Sequence, residues 1–207
     1  MICHRVITLL FLLFLVSCAS ISSYSPINKE GFEEKKEIQE QSKFLVSSMA
    51  KASRKLHDIA WPIMISNIDA CQNSRINAFG LMVAHTEDLP KSLSPFFYAA
   101  SPNTFLNNIN SDLPMIVSIA KNSPADRANI MEGDLIISIN NSIVSYKNYR
   151  SLLEDAAKKG SLIIKIKRLE EEISYELVSE SICGYPVQAM ISPIPNAYAD
   201  GSKIYIT

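Results

Sequence analysis

Histidines, cysteines and carboxylates are the groups with which this chain could do chemistry, and their spacing decides which chemistry is open to them. The histidines are His4, His57 and His85. A zinc hydrolase helix needs two imidazoles at i and i+4, which one turn brings onto one metal, with a Glu between them to activate the metal's water. None of the three begins a His-Glu pair, and His85-Thr86-Glu87 lacks both the spacing and the second histidine. His57 beside Asp58 reads as a surface or capping pair and is assigned no chemistry. No nucleophile, base and orienter come together in the sequence, and no phosphate-binding glycine loop stands out. Catalytic residues, metal ligands and cofactors are therefore expected to be none. With 20 Lys and Arg against 21 Asp and Glu, the chain has no basic field, which speaks against nucleic acid as a partner.

The cysteines are Cys3, Cys18, Cys71 and Cys183. His4-Arg5 supply a short positive start, and Val6 to Val16 form an apolar run of about eleven residues, the length of a secretory leader and too short to span a bilayer. Leu15-Val16-Ser17-Cys18 follows, resembling the lipobox of bacterial lipoproteins, in which the cysteine is lipidated and becomes the mature N-terminus. The alternative is a plain signal peptide that happens to end near a cysteine. The lipoprotein resemblance implies a signal peptide at 1–17, acyl chains on Cys18 as a membrane anchor, and a cell-envelope location. Ala19 after the cysteine implies the outer membrane, facing the periplasm. Cys71 and Cys183 would then be left in an oxidising compartment and are expected to form a disulfide, two buried free thiols being the alternative.

Several elements must position these groups. Residues 18–31, rich in Ser, Pro, Asn and Gly, read as a tether. An amphipathic helix follows over 32–71, with Leu45, Met49, Ala52, Leu56, Ile59 and Ile63 as its apolar stripe and Trp61-Pro62 expected to kink or end its first part. Ala78 to His85 reads as a strand, and Thr86 to Leu113 as a long excursion with a short helix near Pro95 to Ala100 or Thr104 to Asn108. Strands are expected at Met115–Ala120, Asp134–Asn140, Leu162–Arg168 and Ile173–Val178. A short helix starts at Ser123-Pro124, and a longer one, capped by Ser145, runs to Lys159 and ends at Gly160. Asp200-Gly201 signals a turn before a final strand, Lys203–Thr207, which reads either as an edge of the preceding sheet or as the beginning of a new element.

The stretch "VSIAKNSPADRANIMEGDLIISINNSIV", Val117 to Val144, resembles the PDZ domain of bacterial periplasmic proteases, whose pattern is V-x-x-G-S-P-A-x-x-A-G-L-x-x-G-D-x-I-x-x-I-N-G. Ser123-Pro124-Ala125, Ala128, Gly133-Asp134, Ile136 and Ile139-Asn140 match. Asn122, Asn129 and Asn141 stand where the family has glycine, and Asn is the residue best able to replace Gly in a left-handed conformation. The resemblance implies an α+β fold, a PDZ-like half-open β-barrel with two helices over 78–179, preceded by the amphipathic helix. It also implies β-augmentation, in which an extended peptide adds as one more strand in a groove. By that resemblance Phe79-Gly80-Leu81 would cradle a carboxylate, Met82, Val83 and Ala84 would form the pairing edge, and Tyr149, Leu152 and Leu153 would line the facing helix. The alternative is a groove filled by the chain's own excursion.

A wider resemblance takes in the lipidated start, the helix ending near a cysteine, Cys183-Gly184-Tyr185-Pro186-Val187 and Asn196-Ala197-Tyr198-Ala199-Asp200-Gly201. Together these look like lipoproteins of the zinc metallopeptidase family related to prenyl-protein and heat-shock membrane proteases. In that family the last motif leads into the H-E-x-x-H helix, so 180–207 would be the start of a peptidase-like domain that stops short of its metal site. The expected function is a membrane-tethered module that binds extended or C-terminal peptides without catalysis. The alternative is the N-terminal part of an envelope zinc peptidase, in which a missing domain would bring the zinc.

Overall fold

The computed structural model describes residues 27–71, 74–101, 112–190, 192, 194–200 and 203–207. The expected leader, Cys18 and the helix considered at Thr104–Asn108 lie outside these residues. The chain divides into two compact units, Met1–Ile38 and Gln39–Thr207, and among the described residues every strand lies in the second. Among the described residues no helix is long and apolar enough to cross a membrane.

Helix α1 spans Ile27–Ser66, beginning inside the stretch expected as tether. It continues through Pro62 to Ser66. Proline forfeits one amide donor there, but Trp61, Met64 and Ile65 pack against Ala120 and Ile182 and hold the last turn in place. The expected stripe is displaced by about one residue. Ala52, Ile59 and Ile63 are exposed, and the packed side runs instead through Val46, Ala50, His57, Ala60, Trp61 and Met64. Both stripes are apolar enough for a helix face, and the helix turns to bury the large indole of Trp61.

After a short 3-10 turn, Ile68–Cys71, strand β1 (Arg75–Ala78) leads through Phe79-Gly80 into β2 (Leu81–Ala84), so the single strand expected at Ala78–His85 is broken. The excursion carries 3-10 turns at Thr86–Asp88 and Ser94–Ala100. Then come β3 (Met115–Ile119), α2 (Pro124–Arg127), β4 (Leu135–Ile139), β5 (Ser142–Ile143), α3 (Tyr149–Lys159), β6 (Ser161–Arg168), β7 (Glu171–Val178) and β8 (Glu180–Cys183). Helix α3 starts three residues later than expected, because the Asn148 carboxamide accepts from the Ser145 amide and hydroxyl and holds that segment as a turn. Gly160, at φ 78°, ends it as expected.

One sheet runs β2-β3-β4-β6-β7, with β5 paired to β4, and it stays open. Strands β1 and β8 form a separate antiparallel ribbon, with Arg75 opposite Cys183. The main core gathers Phe79, Ile116, Ile136, Ile139, Tyr149, Leu162, Ile164 and Ile166. A second cluster of Val46, Phe97, Met115 and Leu135 fastens α1 and the excursion to the sheet. The disulfide Cys71–Cys183, with Cα atoms 5.4 Å apart, ties the turn after α1 to β8.

The last residues form a small sheet of their own. Strand β11 (Ile204–Ile206) lies antiparallel to β10 (Ala197–Ala199) and parallel to β9 (Val187–Ala189). It is therefore not an edge of the larger sheet.

Candidate functional site: a groove beside an open strand edge

The site begins with two carbonyl bonds. Ala120 donates its amide to Gly80 O at 3.0 Å, and Ala125 donates to Phe79 O at 3.0 Å, so both carbonyls face the body of the fold. Among the described residues the amides of Phe79 and Gly80 make no backbone hydrogen bond. Leu81 lies opposite Ile119, one residue beyond the bonded Gly80–Ala120 pair, so its own N–H and C=O point to the open edge of β2. The start of this unpaired strand thus offers the outward amide of Leu81 beside two amides that make no backbone bond, donors suited to an anionic oxygen.

Gly80 is required at this bend. Its φ is 74°, and a Cβ added there would overlap Ser123 Cβ and Oγ. Ser123 is itself fixed, since its hydroxyl accepts from the Asp126 amide at 3.3 Å and caps α2. The expected asparagine turns are present. Asn122, Asn129 and Asn141 sit at φ 61°, 59° and 65°, as substitutes for glycine should.

Beside this bend opens a groove of about 790 Å³, within the usual size range of a ligand site. Phe79, Gly80, Leu81 and Met82 line it, as does Leu153 of α3, together with Ala157 and Lys158. Val83, Leu152 and Tyr149 are placed elsewhere. Val83 and Leu152 pack on the main core, and Tyr149, 1% exposed, belongs to that core. The Tyr149 hydroxyl donates to Asp88 Oδ2 at 2.6 Å. Burial and the Asp88 carboxylate both push its pKa well up, so it stays a phenol. None of the described residues of the Thr86–Leu113 excursion lines the groove.

The remaining walls come from residues to which no binding role was assigned. Helix α1 contributes His57, Ala60, Trp61 and Met64, and the β1–β8 ribbon contributes Ile76, Ala78, Ile182 and Cys183. His57 does not pair at the surface. Its Nδ1 lies 2.9 Å from the Ser118 hydroxyl on β3, and its ring meets Trp61 edge-on at 6.2 Å. Asp58 instead accepts from the Lys121 amide at 3.1 Å. The signal for His57 was its position on the packed side of α1, four residues before Trp61, but its partner lies 61 residues away.

Burial lowers the pKa of His57 from its ordinary value of 6.5, and Asp58 opposes this only in part. The folded protein therefore holds His57 neutral where the unfolded chain begins to take a proton. The stability this contributes is complete above pH 6.5 and is lost as pH falls toward the folded value. Thermal unfolding should show a larger drop in Tm between pH 7 and pH 5 for the wild type than for His57→Gln. Equal drops would remove His57 as the cause.

His85, the other described histidine, is buried and structural. Its Nε2 donates to Asp112 O at 3.0 Å, and its Nδ1 accepts from the Glu87 amide at 3.1 Å. Among the described residues no group of three or more His, Cys, Asp or Glu is placed to hold a metal.

Residues 115–168 match the family model for the PDZ domain. The structure of an HtrA3 PDZ domain bound to a phage-derived ligand is 20% identical, with a TM-score of 0.40, over 53% of this chain and 92% of that one. The HtrA-type protease AlgW with a decapeptide is 17% identical, with a TM-score of 0.38, over 51% of this chain and 29% of that one. A PDZ domain protein from Parabacteroides distasonis is 21% identical, with a TM-score of 0.37, over 53% and 21% of the two chains. The chain thus spans less than a third of the AlgW protease it matches. No curated protein matches it. Residues 115–168, about a quarter of the chain, match the PDZ model, and the fold around them mixes helix and sheet.

Proposed function

We propose that this chain is a peptide-binding module held at a bacterial membrane by lipid on Cys18, taking protein C-termini or extended peptides into the groove beside β2 and performing no catalysis itself. The observation that carries the reading is the turn at Phe79-Gly80-Leu81. The carbonyls of Phe79 and Gly80 are tied inward, the Leu81 amide faces outward, and the turn opens on a strand edge and an apolar groove. A carboxylate placed there would accept charge-assisted bonds from the turn, and the residues before it would pair along the open edge of β2 at Leu81.

The test is to titrate a panel of pentapeptides with free C-termini against the same peptides as C-terminal amides. Loss of charge-assisted bonds worth about 1.5–3 kcal/mol should weaken the amides by roughly tenfold or more. Equal affinity for acid and amide would defeat the carboxylate reading. For the anchor, the full chain made in bacteria should partition into detergent, and Cys18→Ala should move it to the aqueous phase.

A further inference from the structure

The groove does not follow β2 to its end. Of the four residues of β2 only Leu81 and Met82 line it, and the α3 residues along it are Leu153, Glu154, Ala157 and Lys158, none from the first turn of that helix. Beyond Met82 two features change. The pairing of β2 with β3 slips between Met82 and Val83, so that Met82 faces Ser118 but Val83 faces Ile116. The extra residue, Val117, lies on β3, which bends here, and pairing resumes through Ala84 and Met115. Past the strand, Asp88 reaches across to α3 and holds it at two depths. One carboxylate oxygen accepts from the buried Tyr149 hydroxyl at 2.6 Å, and the other pairs with the exposed guanidinium of Arg150. Asp88 is itself fixed, since Oδ2 also accepts from the His85 amide at 2.7 Å.

In the other direction the groove continues. Past the Phe79-Gly80 bend it extends between Ala60, Trp61 and Met64 of α1 and Ile76 and Ile182 of the ribbon.

We infer that Asp88, with Tyr149 and Arg150, brackets the groove shut at Met82, so that a ligand is read over about its last three residues, at 3.3 Å of strand per residue. The upstream part of the ligand leaves the surface there. This rests on the peptide-binding reading and adds to it a limit on ligand length. It makes Asp88 and Arg150 the residues that set that limit. The cavity at the other end then places most of the selectivity on the terminal side chain.

A length series tests this with the full chain. Peptides of three, four, six and ten residues, all with one shared C-terminal sequence, are titrated by fluorescence anisotropy. Affinity should rise up to about four residues and stay within about twofold from there to ten. In Arg150→Gln and Asp88→Asn the longer peptides should gain several-fold over the four-residue peptide, because β2 beyond Met82 becomes available. Arg150 is exposed, so its variant should keep the wild-type thermal midpoint within a few degrees. A gain of tenfold or more from four to ten residues in the wild type would overturn the bracket while leaving the peptide reading intact. A flat series in both variants would remove Asp88 and Arg150 as its cause. No binding at any length would overturn the peptide reading and the bracket with it.

Discussion

Asp134→Ala should lower the unfolding free energy by about 3–5 kcal/mol, read as a shift in the midpoint of urea denaturation. Asp134 is 2% exposed, and both of its oxygens are used. Arg168 Nε donates to Oδ1 at 2.8 Å and Nη2 to Oδ2 at 2.7 Å, and the Met131 amide donates to Oδ2 at 2.9 Å. The same guanidinium donates to Asn129 O at 3.0 Å, which holds the left-handed turn after α2 against β6. The carboxylate raises the pKa of Arg168 above its already high value, so the pair is ionic. Removing the anion strands a half-buried cation, the costly way to break such a pair. Asp134→Asn keeps an acceptor for the Met131 amide and should lose less than the alanine variant. A loss below about 1 kcal/mol for Asp134→Ala would mean that water replaces the carboxylate without strain.

The second large effect is expected at the bend of the groove. Gly80→Ala adds a Cβ onto Ser123 at a backbone angle that L-residues disfavour, and the two costs together come to about 2–4 kcal/mol. Ser123 is fully buried and caps α2, so it cannot rotate away. The chain must move instead, carrying the Phe79 and Leu81 amides with it. Peptide affinity should therefore fall by more than the amide-for-acid exchange costs. Ser123→Gly in the same chain removes the overlapping atoms at the cost of a few tenths of a kcal/mol for the weaker cap. It should restore a measurable part of both stability and binding. No recovery in the double variant would show that the angle, rather than the overlap, dominates.

What the sequence revealed and what it hid divide along the range of the interactions. Asn122, Asn129 and Asn141 could be read as left-handed turns because the preference belongs to the residue itself. Ser123-Pro124 marked a helix start for the same reason, and Gly160 a helix end. The strands from Met115 to Val178 followed from alternation bounded by turns. The role of Asp134 needed Arg168, 34 residues on, and no local pattern names that partner. Helix α1 carried two neighbouring apolar stripes, and only the fit of Trp61 against Ala120 and Ile182 selects one. That choice also brings His57 to Ser118 and into the groove wall. Tyr149 misled because helix periodicity cannot tell a residue facing a groove from one facing the core a third of a turn away. Its bond to Asp88 spans 61 residues. The parallel pairing of Ile204–Ile206 with Val187–Ala189 likewise depends on where the chain returns.

The disulfide at the end of α1 bears on the thermodynamics of recognition. Cys183 stands in the groove wall, and its bond to Cys71 fastens the end of the helix that carries Trp61 and Met64 to the ribbon that carries Ile76 and Ile182. The two apolar banks are thus set at their separation when the protein folds and oxidises, before any ligand arrives. A binding partner need not order them, and the entropy that flexible walls would lose on closing is not subtracted from its affinity. Held in this way, the groove should discriminate among terminal side chains by shape, as a rigid mould does, since a poor fit cannot be relieved by the walls drawing together.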